Sequence, residues 1–205
     1  MSSVLDVKFF VEVFVTLFVI MDPPGTLPLF LGLTSGRSPR GRRRAAWQAV
    51  TVSLGVIVLF ALFGQSILHY MGITLPALQG AGGLLLLLVA LELLTGNADE
   101  PQETANVNIA FVPLGTPLLA GPGAIVATIV FVRRADSLAQ DLALALGILA
   151  VHLTLWLTMR YSSALIKVLR DSGVTLLTRI AGLLLSAIAV QLVASSVEAF
   201  VKGAR

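Results

Sequence analysis

Cysteine is absent from this 205-residue chain. Its absence excludes disulfides, thiolate metal sites and cysteine nucleophiles, and leaves the redox compartment unreadable. Charge is scarce too: Asp, Glu, Lys and Arg make up 12% of the residues, about half of the ~25% usual in a soluble domain. There is no His-Glu-x-x-His, no Gly-x-Ser-x-Gly, no Walker loop and no cluster of histidines and carboxylates at ligand spacing. The expectation is therefore a protein that is not an enzyme and has no resident cofactor or metal. The first residues, Met1-Ser2-Ser3-Val4-Leu5-Asp6-Val7-Lys8, lack both a basic n-region and a small-residue cleavage site. No removed signal peptide is expected, and the first apolar segment is read as part of the mature protein.

What is present is hydrophobic. The apolar fraction is 57% and the mean hydropathy +0.94. Apolar runs long enough to cross ~30 Å of hydrocarbon recur along the chain, so its solvent is the bilayer. The net charge of +3 matters less than its placement. Five of the fourteen basic residues sit in one loop, Ser35 to Arg44, and read as an orientation signal rather than a nucleic-acid surface.

One apolar run is interrupted by Met21-Asp22-Pro23-Pro24-Gly25-Thr26-Leu27-Pro28. Two prolines remove backbone donors, Gly25 frees the dihedrals, and Asp22 sets a carboxylate among Phe, Val, Ile and Leu. A backbone broken at membrane depth survives only when buried in protein or lining a wet cavity. A partial echo, Leu119-Ala120-Gly121-Pro122-Gly123-Ala124-Ile125, follows 98 residues later when Pro24-Gly25 is set on Pro122-Gly123. Broken apolar segments in matching halves are the best sequence pointer to a transporter's binding site.

Taken in order, the first segment divides into Val7 to Met21 and Thr26 to about Leu33. The arginine loop follows, then plain spans at about Ala45 to Leu68 and Pro76 to Leu94. An acidic stretch, Gly96 to Asn108, divides the halves. The fourth segment, about Ile109 to Val132, holds Pro113, Pro117 and Pro122, so a first piece ends near Ala120 and a second starts at Gly123 or Ala124. Spans at about Leu142 to Met159 and Thr175 to Phe200 complete the chain. The organisation is thus residues 1–95 as repeat 1, 96–108 as an inter-repeat loop and 109–205 as repeat 2.

Both halves read as a broken segment, a plain span and a glycine-bearing span. Leu78 to Leu94 set on Leu177 to Val193 matches seven of seventeen positions, Gly83 with Gly182 and Ala90 with Ala189 among them. A slip of one residue, pairing Gly82 with Gly182, is also admitted. Three segments per half require the second half to be inverted. The fold class expected is an all-α membrane protein of six segments in two inverted three-helix repeats, the first segment of each broken or re-entrant at a Pro-Gly. Loops after the first, third and fifth segments carry eight basic residues against five on the other side. That bias places both termini outside the cytoplasm.

Asp22 is the sharpest candidate for chemistry. It can cap the following half-helix through the amides of Gly25 or Thr26, carry a coupling proton, or hold a substrate ammonium. Arg179, four residues into the sixth span, either snorkels to headgroups or faces the cavity as a fixed cation. Glu92, Glu198 and His69 read as interfacial, and Glu12 as an i,i+4 partner of Lys8. His152 is mid-span and reads first as a helix contact, with proton relay as the alternative. Gln79 and Gln191 read as glue between helices. The starts of the two half-helices, at Gly25-Thr26 and Gly123-Ala124, offer amides to a substrate carboxylate.

Asp22 to Thr34 resembles the first signature of the MarC family of bacterial and archaeal inner-membrane proteins. Asn108 to Ile125 resembles the second signature, and Thr178-Arg179-Ile180-Ala181-Gly182 the third. Two departures stand out: Pro24 replaces an aliphatic residue, and Gln79-Gly80 stands where Arg-Ile is expected. Only one of two symmetric arginines then remains, at Arg179. The resemblance implies six spans and ion-coupled transport of glycine, alanine and similar small neutral amino acids, with the coupling ion open between H⁺ and Na⁺. The partners it implies are a small zwitterionic amino acid and the lipid bilayer, with no nucleic acid; a homo-oligomer is compatible with it. The substrate-binding residues expected are Asp22, Pro24, Gly25, Thr26, Gly121, Pro122, Gly123, Ala124 and Arg179. An exporter of other small metabolites or drugs, and a non-transporting structural or regulatory membrane protein, are the alternatives.

Overall fold

The computed structural model describes residues 5–95 and 119–203. The acidic inter-repeat stretch and the opening of the fourth segment, with Pro113 and Pro117, lie outside the described residues. Among the described residues every regular element is a helix: α1 (Val7–Met21), α2 (Thr26–Leu33), α3 (Pro39–Tyr70), α4 (Leu75–Thr95), α5 (Pro122–Arg134), α6 (Leu138–Arg160) and α7 (Ser162–Gly203). Helices α3, α4, α6 and the stretch Ser172–Gly203 of α7 are long and apolar enough to cross a membrane. The pair α1 and α2, bent by 49° at their junction, makes a fifth if counted as one span. Helix α5, with 13 residues, covers only ~20 Å and cannot cross alone.

Helix α6 is the ruler of the bundle. At its start, Gln140 donates from Nε2 to Asp6 Oδ2 at 3.2 Å, and the Asp6 amide donates to the Ala139 carbonyl at 3.5 Å. Just past its end, Ser163 Oγ accepts from Arg42 Nη1 at 2.9 Å, while Arg42 Nη2 donates to the Thr34 carbonyl at 3.4 Å. The broken segment α1–α2 therefore runs the whole length of α6, ~34 Å for 23 residues. Within that length Val13 packs so closely that a Cβ on Gly147 would lie 2.7 Å from Val13 Cγ1.

Several boundaries differ from expectation, each for a local reason. The arginine loop is partly helix: Ser38 Oγ accepts from the Gly41 amide at 3.2 Å, Pro39 takes the first turn, and Arg40 to Arg44 continue into α3. At 32 residues, α3 is ~48 Å long and must project beyond ~30 Å of hydrocarbon, carrying the arginines clear of it. Helix α6 starts at Leu138 because Ser137 caps it by accepting from the Gln140 amide. The second half-helix starts at Pro122, with Gly121 as N-cap. The last segment begins as early as Ser162 and is broken at Arg170, whose φ of 55° is non-helical. Glu12 pairs with Arg134 Nη1 at 2.6 Å rather than with Lys8, because the first turns of α1 lie beside the last turn of α5.

Helices α4 and α7 lie antiparallel in close contact, Ser196 Oγ donating to the Pro76 carbonyl at 2.7 Å. A Cβ on Gly83 would sit 2.8 Å from the Ala189 carbonyl oxygen and 2.8 Å from Val193 Cγ2. A Cβ on Gly182 would sit 3.2 Å from the Ala90 carbonyl oxygen and 3.2 Å from Leu94 Cγ. The two contacts exchange when Gly83 is set on Gly182, Ala90 on Ala189 and Leu94 on Val193. In lipid no hydrophobic drive holds helices together, so close approach through small residues has to do so.

Two buried apolar clusters form. The larger includes Val13 and Leu17 of α1, Ile57 of α3, Ala124 of α5 and Val151 of α6. The smaller joins Val19 to Leu86, Ala90, Leu185 and Ala189. Outward faces are apolar as well, with Leu62, Leu84, Leu88, Leu183 and Val190 exposed. Exposed leucine on every long helix suits a lipid solvent and no other.

Candidate functional site

The break between α1 and α2 is closed by its own backbone. Asp22 ends α1 in the left-handed region (φ 40°), its amide donating to the Phe18 carbonyl at 3.0 Å. Aspartate is among the few residues with a side chain that tolerate that conformation. The Thr26 amide donates to the Asp22 carbonyl at 3.1 Å and the Leu27 amide to the Pro24 carbonyl at 3.2 Å. Thr26 Oγ1 donates to the Pro23 carbonyl at 2.7 Å, satisfying an acceptor the prolines would otherwise strand. Of the amides of Gly25 and Thr26, expected to meet a substrate carboxylate, that of Thr26 is thus taken by the turn.

The Asp22 side chain behaves differently. It is buried, and neither carboxylate oxygen has a hydrogen-bond partner among the described residues. Of the two amides expected to cap onto the side chain, that of Thr26 goes to the Asp22 carbonyl instead, and the carboxylate is left closest to Gly25. The carboxylate instead fills the space above Gly25, where a Cβ would fall 1.9 Å from Oδ2. The same position lies 3.3 Å from Thr178 Oγ1 of α7. Asp22 Oδ2 and the Thr178 hydroxyl are therefore no farther apart than the sum of those two distances, yet do not bond. An unpartnered carboxylate in an apolar interior costs several kcal/mol if charged. Such a group holds a proton or waits for a cation.

At the second break Gly121, Pro122, Gly123 and Ala124 form the N-cap and first turn of α5. Gly123 is occupied from outside its helix: a Cβ there would lie 2.0 Å from Leu86 Cδ2 of α4. Leu86 also belongs to the cluster that holds Val19, less than a turn before Asp22. One α4 leucine thus touches the second break and joins the packing just before the first. The open cavity of about 390 Å³ found elsewhere lies between Gln65 and His69 of α3, Thr74, and Ile129 and Arg133 of α5. None of the expected site residues lines it.

The profile of the MarC family of integral membrane proteins matches residues 7–201. The chain belongs to the MarC family. It is 34% identical to a UPF0056 membrane protein of Methanocaldococcus jannaschii over 95% of this chain and 98% of the relative. Identity to the UPF0056 membrane protein YhcE of Escherichia coli is 32%, over 98% of each. A UPF0056 membrane protein of Archaeoglobus fulgidus is 35% identical over 91% of each. No solved structure matches the chain.

In this MarC-family chain the third signature meets the first through Thr178, which sequence reasoning passed over for its charged neighbour. Arg179 itself is exposed. A hydroxyl one turn inside an apolar span was the available signal for Thr178, and only tertiary contact distinguishes it from the other threonines. Buried His152 bridges two helices: its Nδ1 lies 2.8 Å from the Ile148 carbonyl and its Nε2 3.2 Å from Ser53 Oγ. A carbonyl only accepts, so Nδ1 carries the proton and Nε2 accepts from Ser53. This is the helix contact expected of His152, and Ser53 is the partner the sequence did not name. Glu92 and Arg133 are exposed, Glu198 pairs with Lys202 at 2.5 Å, and Gln191 donates to Ser195 at 3.3 Å.

Proposed function

We propose that this protein is a secondary transporter of small neutral amino acids, with Asp22 as the polar centre of its translocation site. The observation carrying the reading is a buried carboxylate without a partner among the described residues, set where a membrane segment breaks, with the Thr178 hydroxyl close by. The ammonium of a zwitterion, or a coupling H⁺ or Na⁺, would compensate it. In this reading Pro24, Gly25 and Thr26 shape its surroundings, Gly121 to Ala124 would form the opposite wall, and Arg179, next to Thr178 in the chain, would be the fixed cation. Asp22 fills the space at Gly25 and Leu86 the space at Gly123, so in this reading solute entry requires these side chains to move.

The exchange-related contacts of α4 and α7 favour two inverted three-segment repeats, with α1–α2 matched to the segment that contains α5. The arginine-rich start of α3 then faces the cytoplasm of a bacterial or archaeal cell and both termini face outward. An exporter of other metabolites would use the same scaffold with a different wall.

The test is tracer flux in proteoliposomes with glycine and alanine, for the natural chain and for Asp22→Asn and Arg179→Ala. We expect alanine exchange that both variants abolish while inserting normally. Alanine should compete, and its methyl ester and ethylamine should not. Full flux in Asp22→Asn would remove the carboxylate from the reading. Flux of no amino acid in the natural chain would leave the non-transporting alternative.

A further inference from the structure

A second polar corner lies at the opposite end of α2 from Asp22. Arg42 there grips Ser163 Oγ and the Thr34 carbonyl, but its Nε has no partner among the described residues. Ser162, the residue before the one gripped, is 1% exposed, and its hydroxyl is also unpartnered. Arg42 Nε can only donate and the Ser162 hydroxyl can donate, so an acceptor-only group suits both. Leaving a buried polar group unpaired is costly, and here two occur on residues that the Arg42–Ser163 bond brings to the same corner.

The depth of the corner is marked by aromatic residues. Trp47 and Trp156 meet edge to face at 6.3 Å, and Arg160 lies 5.3 Å over Trp156 and 5.7 Å over Tyr161. Tryptophan, tyrosine and arginine gathered at one level mark the headgroup region of a bilayer. Trp47 and Tyr161 are exposed, and so is Val168, at 80%, in the short helical piece before the Arg170 break. An apolar side chain so exposed beside Lys167 suits a helix lying in the interface.

Charge completes the picture. Arg37, Arg40, Arg43, Arg44 and Lys167 are exposed at this end. The ion pairs among the described residues, Arg134–Glu12 and Lys202–Glu198, both belong to the other end. Basic clusters that form no ion pair among the described residues attract anionic lipid when they lie next to a membrane segment. We propose that the corner formed by Arg42, Ser162 and Ser163 binds the phosphate of an anionic phospholipid headgroup. The orphaned Arg42 Nε and Ser162 hydroxyl donate to phosphate oxygens, and the surrounding arginines raise the local concentration of anionic lipid. The acyl chains lie along the exposed apolar faces beside Trp47 and Tyr161. A phosphate oxygen fits better than a water, which must itself find acceptors for its own protons.

The chain carries its own reporters, since its two tryptophans both sit at this corner. The full chain is reconstituted in phosphatidylcholine containing a low mole fraction of phosphatidylglycerol brominated high on its acyl chains. Tryptophan quenching is compared with that from brominated phosphatidylcholine at the same fraction. We expect excess quenching by the anionic lipid, lost in Arg42→Gln and reduced in Ser162→Ala, but retained in Arg43→Gln, which removes the same charge from an exposed position. Ser162→Ala serves if Arg42→Gln fails to insert. Equal quenching by the two lipids, or equal loss in Arg42→Gln and Arg43→Gln, would overturn the site in favour of diffuse attraction or none. Inorganic phosphate at constant ionic strength should leave the excess intact, and its displacement would assign the corner to a soluble anion instead.

Discussion

Gly25 is the residue that makes room for Asp22. A Cβ at Gly25 would lie 1.9 Å from Asp22 Oδ2, so the carboxylate occupies volume that any other residue would claim. The backbone there is ordinary, with φ −67° and ψ −25°; the glycine is required by the neighbouring carboxylate rather than by the turn.

That distinction sets the first prediction. Gly25→Ala should fold and insert, because its backbone suits alanine, but the methyl group must displace the carboxylate. We expect tracer flux to fall as far as in Asp22→Asn. Gly32→Ala, which meets nothing within 4 Å, should leave flux unchanged. Normal flux in Gly25→Ala would mean that the carboxylate position is immaterial.

The α4–α7 contact predicts an ordering of stabilities. Alanine in place of a helical glycine gains ~0.5–1 kcal/mol of helix preference. At Gly83 the new methyl would press 2.8 Å from a backbone carbonyl, and overpacking of this kind costs ~1–3 kcal/mol. Gly83→Ala should therefore lower the melting temperature in detergent. Gly182→Ala, whose nearest contact is 3.0 Å from Leu93 Cβ, should be closer to neutral. Gly55→Ala, in open space, should raise it. A Gly83→Ala protein more stable than Gly55→Ala would remove the close helix contact.

Ser53→Ala should destabilise by ~1–3 kcal/mol, since it leaves His152 Nε2 buried without a donor. Thermal or denaturant melts in detergent measure the loss. Ser53→Thr, which keeps the hydroxyl, should recover most of it. An unchanged melt in Ser53→Ala would show that the bridge contributes nothing.

At the exposed end of α1, Asp6 Oδ1 accepts from the Phe9 amide at 3.0 Å and Oδ2 from Gln140. These bonds, the Phe9 amide foremost, hold its carboxyl below the ordinary carboxylate value. A carboxyl whose folded value is lowered stabilises the fold above the unfolded value and loses that contribution as pH falls through the folded one. The stability gap between the natural chain and Asp6→Asn should thus be constant near neutral pH. It should close as the medium is acidified below the usual carboxylate range. A gap that widens toward acid would contradict the assignment.

The sequence alone determined the solvent of this protein and the grammar of its segments. Apolar runs of spanning length require lipid, and Pro23, Pro24 and Gly25 forbid one continuous first helix, so α1 and α2 fall where the residues demand. Glycines matched at 83 and 182 were legible as a candidate repeat, because helix contacts in lipid rest on small residues. Helix ends were less legible. Serines 38 and 137 cap α3 and α6 earlier than hydropathy suggests, since hydropathy reports the lipid boundary and capping reports where helix begins. Tertiary structure decided the rest. Only packing could choose the register that sets Gly83 against Ala189, since leucine-rich helices match at many offsets. Only packing could leave the Asp22 carboxylate unpartnered, bring Thr178 to it, fill Gly123 with Leu86 and pair Ser53 with His152. A sequence states which polar groups enter the membrane; whether each finds a partner there depends on residues a hundred positions away.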